Sequence, residues 1–337
     1  MKIFFPFEGQ KKGFLGVTTF ALKFKSGMES RGHEVFFDYQ SDYDILFMVV
    51  QAPFQYLLDA KRRKKPIVQR MDGVFYWSVS GWKFPLLNAK AILIRHFFTD
   101  FTIYQSHYSQ YSVKKFLGKK RHDRSSVIYN GVDINLFSPN GKKIVIRDNP
   151  NQKIFFTASA FRREDQLIPI FQALEKYKKK YGENFKFLIA GTFSGKMTSL
   201  QEKYKHFKYA VFLGKIKNED LPQYERAADV FLLTHLNPPC PNNIIEAMAC
   251  GLPICGIADG AMPEIIEEGK NGLLVKTPGD AFWKTRIINT ETFSDNLHTI
   301  LESKKSFSEK SRSLALEKFS LNSMVEQYII SINKLLK

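Results

Sequence analysis

Residues Pro238-Pro239-Cys240-Pro241-Asn242-Asn243-Ile244-Ile245-Glu246 hold chemistry that the rest of the chain must position. Three prolines forbid a regular element before Asn242, and proline suits the first helical position, where an N–H has no helical partner. The carboxamides of Asn242 and Asn243 can cap free amides there. Ile244, Ile245 and Met248 share one helix face, and the spacing predicts that Glu246 points away from it. Gly251 supplies a left-handed stop, and Pro253 prevents the helix from resuming. The product is a helix N-terminus opened by a tight loop, which suits an anion, followed by a carboxylate able to accept hydrogen bonds from hydroxyls. Phosphate plus hydroxyls points to a nucleotide sugar. An ordinary buried helix of an α/β domain is the other reading, and the stretch alone leaves both open.

Other residues with chemical potential sit at predicted strand ends. Arg70-Met71-Asp72-Gly73 closes a strand over Pro66–Gln69, where open α/β sheets gather ligands; Asp72 is a candidate for contacting a hydroxyl, or a turn-forming Asp before Gly. Gly9, Gly13 and Gly16 follow the first strand, but their spacing is not the dinucleotide fingerprint, so no NAD site is expected. Cys240, Cys250 and Cys255 are too few and oddly numbered for a disulfide framework, and with His235 they match no zinc pattern. No metal site and no cofactor is expected.

The positioning elements read as strand and helix in alternation. Ile3–Phe7, a helix from about Thr18 to Arg31 and a strand at His33–Phe37 make a βαβ unit. Asp44–Val50 is a continuous apolar run, fitting a parallel strand covered on both faces. Ala89–Phe98 is apolar with Lys90 and Arg95 and suits either a core or a membrane contact. A charged stretch over 141–152 containing Asn149-Pro150-Asn151 reads as a linker. A second α/β series follows, with strands at Ile154–Ala158, Phe185–Ala190 ending at Gly191, Ala210–Gly214, Val230–Thr234, Ile254–Ile257 and Gly272–Val275. A last helix runs from about Ser323 to Leu336, with Ser323 and Glu326 as its capping box.

The chain has 337 residues, so two domains are the prior. Its net charge of +17 admits nucleic acid, an anionic membrane surface or anionic substrates as partners. Nucleic acid ranks last, because the basic runs are not interleaved with aromatics. No apolar run approaches the ~20 residues that span a bilayer, and Met1–Phe7 is too short and too quickly followed by Glu8 to be a signal peptide. A cytoplasmic protein, peripheral at the inner membrane face, is expected.

Several ordered marks resemble the retaining glycosyltransferases of family 4: Gly32-His33-Glu34-Val35; Val127-Ile128-Tyr129-Asn130-Gly131-Val132-Asp133 with Phe137 and Pro139; Leu213-Gly214 through Ala228-Asp229-Val230; Glu246-Ala247-Met248-Ala249-Cys250-Gly251-Leu252-Pro253; and Glu264 with Asn271-Gly272-Leu273-Leu274-Val275. The resemblance spans about Met1 to Asp280. It implies a GT-B fold: two Rossmann-like domains, residues 1–148 and 149–319, facing across a cleft, with a C-terminal helix, 320–337, crossing back to the first. It also implies sugar transfer from a nucleotide-diphosphate sugar to a glycan or lipid-linked acceptor, with retention and without a metal. Arg162 or Arg163 would pair with the diphosphate, with Asp72 and Glu264 as the other catalytic candidates. The helix-start amides at Asn242, Asn243 and Ile244 would hold the phosphates, and Glu246 would bond the ribose. Gly13, Gly16, Asn130 and Gly191 would complete the donor site.

Two departures stand out. Where the family places the first of two glutamates with seven residues between them, this chain has Pro238, eight positions before Glu246. The family histidine of the first domain has no obvious counterpart, Arg70–Gly73 occupying its place. Pro238 motivates a second reading, a sugar-nucleotide-binding protein without turnover; a basic nucleic-acid binder and an epimerase of the same fold are the remaining alternatives.

Overall fold

The computed structural model describes residues 1–7, 15–195, 197–284 and 286–336. It divides into two compact units, Met1–Gly131 with Phe319–Lys337, and Val132–Lys318. The break falls ahead of the charged stretch 141–152.

The first unit runs β1 (Lys2–Phe4), α1 (Leu15–Glu29), β2 (Glu34–Phe36), β3 (Ile45–Val49), α2 (Phe54–Arg62), β4 (Ile67–Met71), α3 (Trp77–Ser80), α4 (Phe84–Phe97), β5 (Phe101–Tyr104), α5 (His107–Leu117) and β6 (Ser125–Val127). Its described strands form one parallel sheet in the order β2-β1-β3-β4-β5-β6. Such a sheet needs helical crossovers on its faces, so its strands must be apolar on both sides. Ile45, Leu46, Phe47 and Met48 are accordingly all buried. On one face Phe24 stacks on Phe47 at 4.6 Å. The other face packs Phe4, Leu46 and Met48 against Leu57 and Ile94. At the end of β3, Val50 lies in the left-handed region with φ 59°.

The second unit runs β7 (Lys153–Phe161), α6 (Ile168–Tyr181), β8 (Phe185–Phe193), α7 (Met197–Tyr204), β9 (Ala210–Gly214), α8 (Leu221–Glu225), β10 (Val230–Leu233), α9 (Asn242–Ala249), β11 (Ile254–Ala258), α10 (Met262–Ile265), β12 (Gly272–Lys276), α11 (Thr290–Glu302) and α12 (Lys304–Lys318). Its sheet is ordered β12-β11-β10-β7-β8-β9. Counted from β7, this is the 3-2-1-4-5-6 order of dinucleotide-binding folds, and both sheets are Rossmann-like. Asp229 of the Ala228-Asp229-Val230 mark ties the unit together: it accepts Ile154 N–H at 2.7 Å and two bonds from Arg147 at 2.8 and 2.9 Å.

The terminal helix, α13 (Leu321–Leu336), belongs to the first unit and buries Met324, Val325, Tyr328 and Ile332 against Phe20, Phe24 and Phe47. Its cap differs from the expected box: Ser320 Oγ accepts the Ser323 N–H at 3.1 Å, so the helix begins ahead of Ser323. Helices α7, α11 and α12 were not expected. Phe293, Leu297 and Ile300 give α11 a stripe at helical spacing, and Asn289 caps it by accepting from Glu291 N and Thr292 N, each at 3.1 Å.

Candidate functional site

The order of the second sheet reverses between β7 and β10, and a crevice at such a switch point is where open α/β sheets bind ligands. The loops leaving these two strands are locked together. Thr234 Oγ1 donates to the Asp165 carbonyl at 3.0 Å, and Gln166 Nε2 lies 3.2 Å from His235 Nε2. Gln166 Oε1 accepts the backbone N–H of Arg162 at 2.7 Å and of Arg163 at 3.0 Å. Two accepted bonds fix which end of the carboxamide is oxygen, so its nitrogen faces the imidazole and His235 Nε2 is the acceptor. A neutral imidazole agrees with this. Burial, with the Arg163 guanidinium beside it, pushes His235 down to about 4.

That shift has a sign. The unfolded chain takes up the imidazole proton near 6.5 and the folded one only near 4. Stability contributed here is therefore complete above about 6.5 and is lost as pH falls toward about 4, with a slope of at most about 1.4 kcal/mol per pH unit. Urea unfolding of the wild type and His235→Gln across that window should show a shallower slope in the variant. Parallel curves would refute a neutral His235.

Arg163 is held by Asp165 in a bidentate pair, Nε to Oδ1 at 2.8 Å and Nη2 to Oδ2 at 3.0 Å, while Arg162 is exposed. Helix α9 begins against β7. Asn243 Nδ2 donates to the Ala158 carbonyl of β7 at 2.9 Å, and Asn243 Oδ1 accepts Ile244 N–H at 3.0 Å. The helix is fixed at its other end by α12, where Arg312 donates to the Ala249 carbonyl at 2.7 Å. Glu246 is 5% exposed, in a helix whose residues from Ile244 to Ala249 are all buried.

Pro238 is packed into the neighbouring loop. Its carbonyl accepts Ala261 N–H at 2.8 Å, and Asn237 N–H donates to Asp259 Oδ2 at 2.8 Å. Gly260, at φ +60°, passes so close that a Cβ there would lie 2.3 Å from Pro238 Cδ. These bonds set the β10–α9 loop against the loop that opens α10, which carries the half-buried Glu264.

Gly191 was expected to end its strand, but β8 continues to Phe193. At φ +133° Gly191 pairs with Ser159, and a Cβ would lie 1.7 Å from the Ser159 carbonyl oxygen. Its glycine is explained by that approach.

Within the first unit, Asp72 and Asn130 meet on Arg70, a guanidinium with 1% side-chain exposure at the end of β4. Arg70 donates to Asp72 Oδ1 and, at 2.6 Å, to Asn130 Oδ1. Asn130 Nδ2 donates to Gln105 Oε1 at 3.0 Å, and the guanidinium lies 3.6 Å from the centroid of Phe20. Asp72 is thus first the counter-charge of a buried cation. Arg70 and His235 carried no role in the sequence reading; a charged residue inside a buried parallel strand is the signal that finds Arg70. Gly16 sits exposed in the first turn of α1, and Gly13 lies outside the described residues.

A family model described as "Glycosyl transferases group 1" matches residues 142–313. A probable sucrose-phosphate synthase of Thermosipho melanesiensis is 28% identical over 225 residues, 63% of this chain and 48% of the relative. An alpha-monoglucosyldiacylglycerol synthase of Acholeplasma laidlawii is 31% identical over 113 residues, 33% of this chain and 28% of the relative. The matched stretches thus span less than half the length of these curated relatives. Among solved structures, Anabaena HepE in complex with UDP-glucose matches with a TM-score of 0.74 at 18% identity, covering 99% of this chain and 100% of that one. The apo form of the lipopolysaccharide outer core galactosyltransferase WaaB matches with a TM-score of 0.68 at 14% identity, covering 99% of each. At these identities the likeness is one of fold.

Proposed function

The chain belongs to the group 1 glycosyl transferases, and from that membership we propose that it moves a sugar from a nucleotide-diphosphate sugar to a glycan or lipid-linked acceptor, with retention of anomeric configuration. The observation that carries the reading is that α9, which holds the buried Glu246, starts against the end of β7 at the switch point of the second sheet, and that Arg162 and Arg163 follow the same strand. A helix N-terminus facing a strand whose exit loop carries two arginines is matched to a diphosphate. Glu246, one turn into the helix, is matched to ribose hydroxyls.

Catalysis then amounts to stabilising the departing charge. As the bond from the anomeric carbon to the diphosphate oxygen breaks, negative charge grows on that oxygen, and the arginines and helix amides meet it without a metal ion. The acceptor oxygen bonds the same face of the anomeric carbon and gives its proton to the leaving phosphate. Glu264 borders the sugar end. The name of the Acholeplasma relative, a synthase of a glucosylated diacylglycerol, supports a lipid-linked acceptor. A second reading, donor binding without turnover, is favoured by Pro238, whose ring offers no acceptor where the family places a carboxylate.

The decisive experiment is isothermal titration of nucleotide sugars, paired with donor-consumption assays in EDTA. Glu246→Ala should weaken donor binding roughly tenfold to fiftyfold, the loss of charge-assisted bonds to hydroxyls. Unchanged affinity would remove the ribose assignment. A donor that binds but is never consumed would favour the second reading, and consumption abolished by EDTA would sink the metal-free mechanism.

A further inference from the structure

Helix α4 is built the wrong way round for a water-facing surface. Its buried side includes Asn88 and Arg95 beside Ala91 and Ile94. Its outer side carries Leu86, Leu93 and Phe97, and Trp82 extends the stripe ahead of it at helical spacing. Trp82 is 72% exposed, Leu86 75% and Phe97 77%. Leu87 and, on α3, Trp77 and Val79 are exposed as well. Apolar residues scattered singly on a surface mean little, whereas a contiguous set marks an interaction site.

The inversion is stabilised from within. Arg95 donates to Thr102 Oγ1 at 3.1 Å and to Asp123 Oδ1 at 3.3 Å. Asn88 holds Phe75 from both sides, accepting its N–H at 3.0 Å and donating to its carbonyl at 2.8 Å. The polar groups are therefore committed inward, and the apolar stripe has no place in the core.

The surrounding charge selects the occupant. Of the eight Lys and Arg residues from Gly73 to His122, Arg95 is buried on Asp123 and Lys114 also pairs with Asp123, while the one acidic residue within the span, Asp100, pairs with Lys61 at 2.7 Å. Lys83 and Lys90 lie exposed among the apolar residues. Tyr76 and Phe84 meet Phe116 of α5 at 6.2 and 5.8 Å, which brings the basic end of α5, with Lys115, and the following Lys119 and Arg121 alongside. Lysine is depleted where proteins bind proteins. Tryptophan at the edge of an apolar face, with lysines able to snorkel toward phosphates, fits a lipid headgroup layer. We infer that the outer face of residues 77–97 docks on an anionic lipid bilayer, lying in the plane of the headgroups. Because Asn88 clamps the loop that follows Asp72, docking also sets the position of that loop. The surface stands independently of how the donor site is read.

Flotation of the full chain with phosphatidylcholine vesicles, with and without phosphatidylglycerol, tests this. The wild type should rise with the anionic vesicles only. The triple variant Trp82→Ser, Leu86→Gln, Phe97→Gln should lose roughly tenfold or more in vesicle partition while keeping its far-UV spectrum and melting temperature. A wild type indifferent to anionic vesicles, or a triple variant that binds them equally, would overturn the proposal. So would a dimer in size exclusion that the triple variant abolishes while lipid has no effect, since the face would then be covered by a second copy.

Discussion

Gly191→Ala should prevent the second unit from folding. The added Cβ would sit 1.7 Å from the Ser159 carbonyl oxygen, and the backbone is at φ +133°, where side chains are strained regardless of space. Relief would require β8 to separate from β7 across their longest shared register, Lys153–Phe161 against Phe185–Phe193. Those strands carry Phe155, Phe187 and Ile189 into the core, so the shift would cost more than about 4 kcal/mol, at the extreme of single substitutions. Thermal unfolding followed by circular dichroism checks this. A soluble Gly191→Ala protein with a wild-type melting temperature would show that the strands give way more easily than their register suggests.

In the reaction proposed above, Arg163 meets charge that develops in the transition state, so Arg163→Ala should lower kcat by roughly 10²–10³ with a smaller change in the donor KM. Arg163→Lys should recover little of this. The guanidinium is already oriented by its two bonds to Asp165, and an ammonium cannot reproduce that fork. Arg162, exposed and without that brace, should matter less when replaced. Steady-state rates with one donor and one acceptor decide the matter. Equal kcat in wild type and Arg163→Ala would remove the diphosphate from this loop.

The alternation of strand and helix was legible because parallel strands buried on both faces must be apolar throughout, as Ile45–Val49 are. The stop after α9 was legible from Gly251 and Pro253, since backbone limits act locally. Glu246 was placed on its helix, away from Ile244, Ile245 and Met248, but the spacing gave no sign of its burial. Periodicity distinguishes faces only when one of them is wet, and Ile244–Ala249 has no wet face. The stretch Ala89–Phe98 of α4 stayed open between core and surface for the opposite reason. Both of its sides hold apolar residues, and only the partners of Arg95 and Asn88 reveal which side is inside. The Arg70 network was invisible because Asp72, Gln105 and Asn130 come from three separate strand ends, and only the strand order makes them neighbours.

Val50 gives that network a mechanical character. A β-branched residue at φ 59° stores about 1–3 kcal/mol of conformational strain. Two bonds hold it there: its N–H donates to the Arg70 carbonyl at 2.8 Å, and its carbonyl accepts from Gln69 Nε2 at 2.8 Å. Both anchors belong to β4, the strand whose end presents Arg70 and Asp72. The turn after β3 is thus a loaded spring latched by the strand that carries the polar cluster. The shape of that turn and the position of the Arg70–Asp72 arm are therefore fixed by one and the same strand.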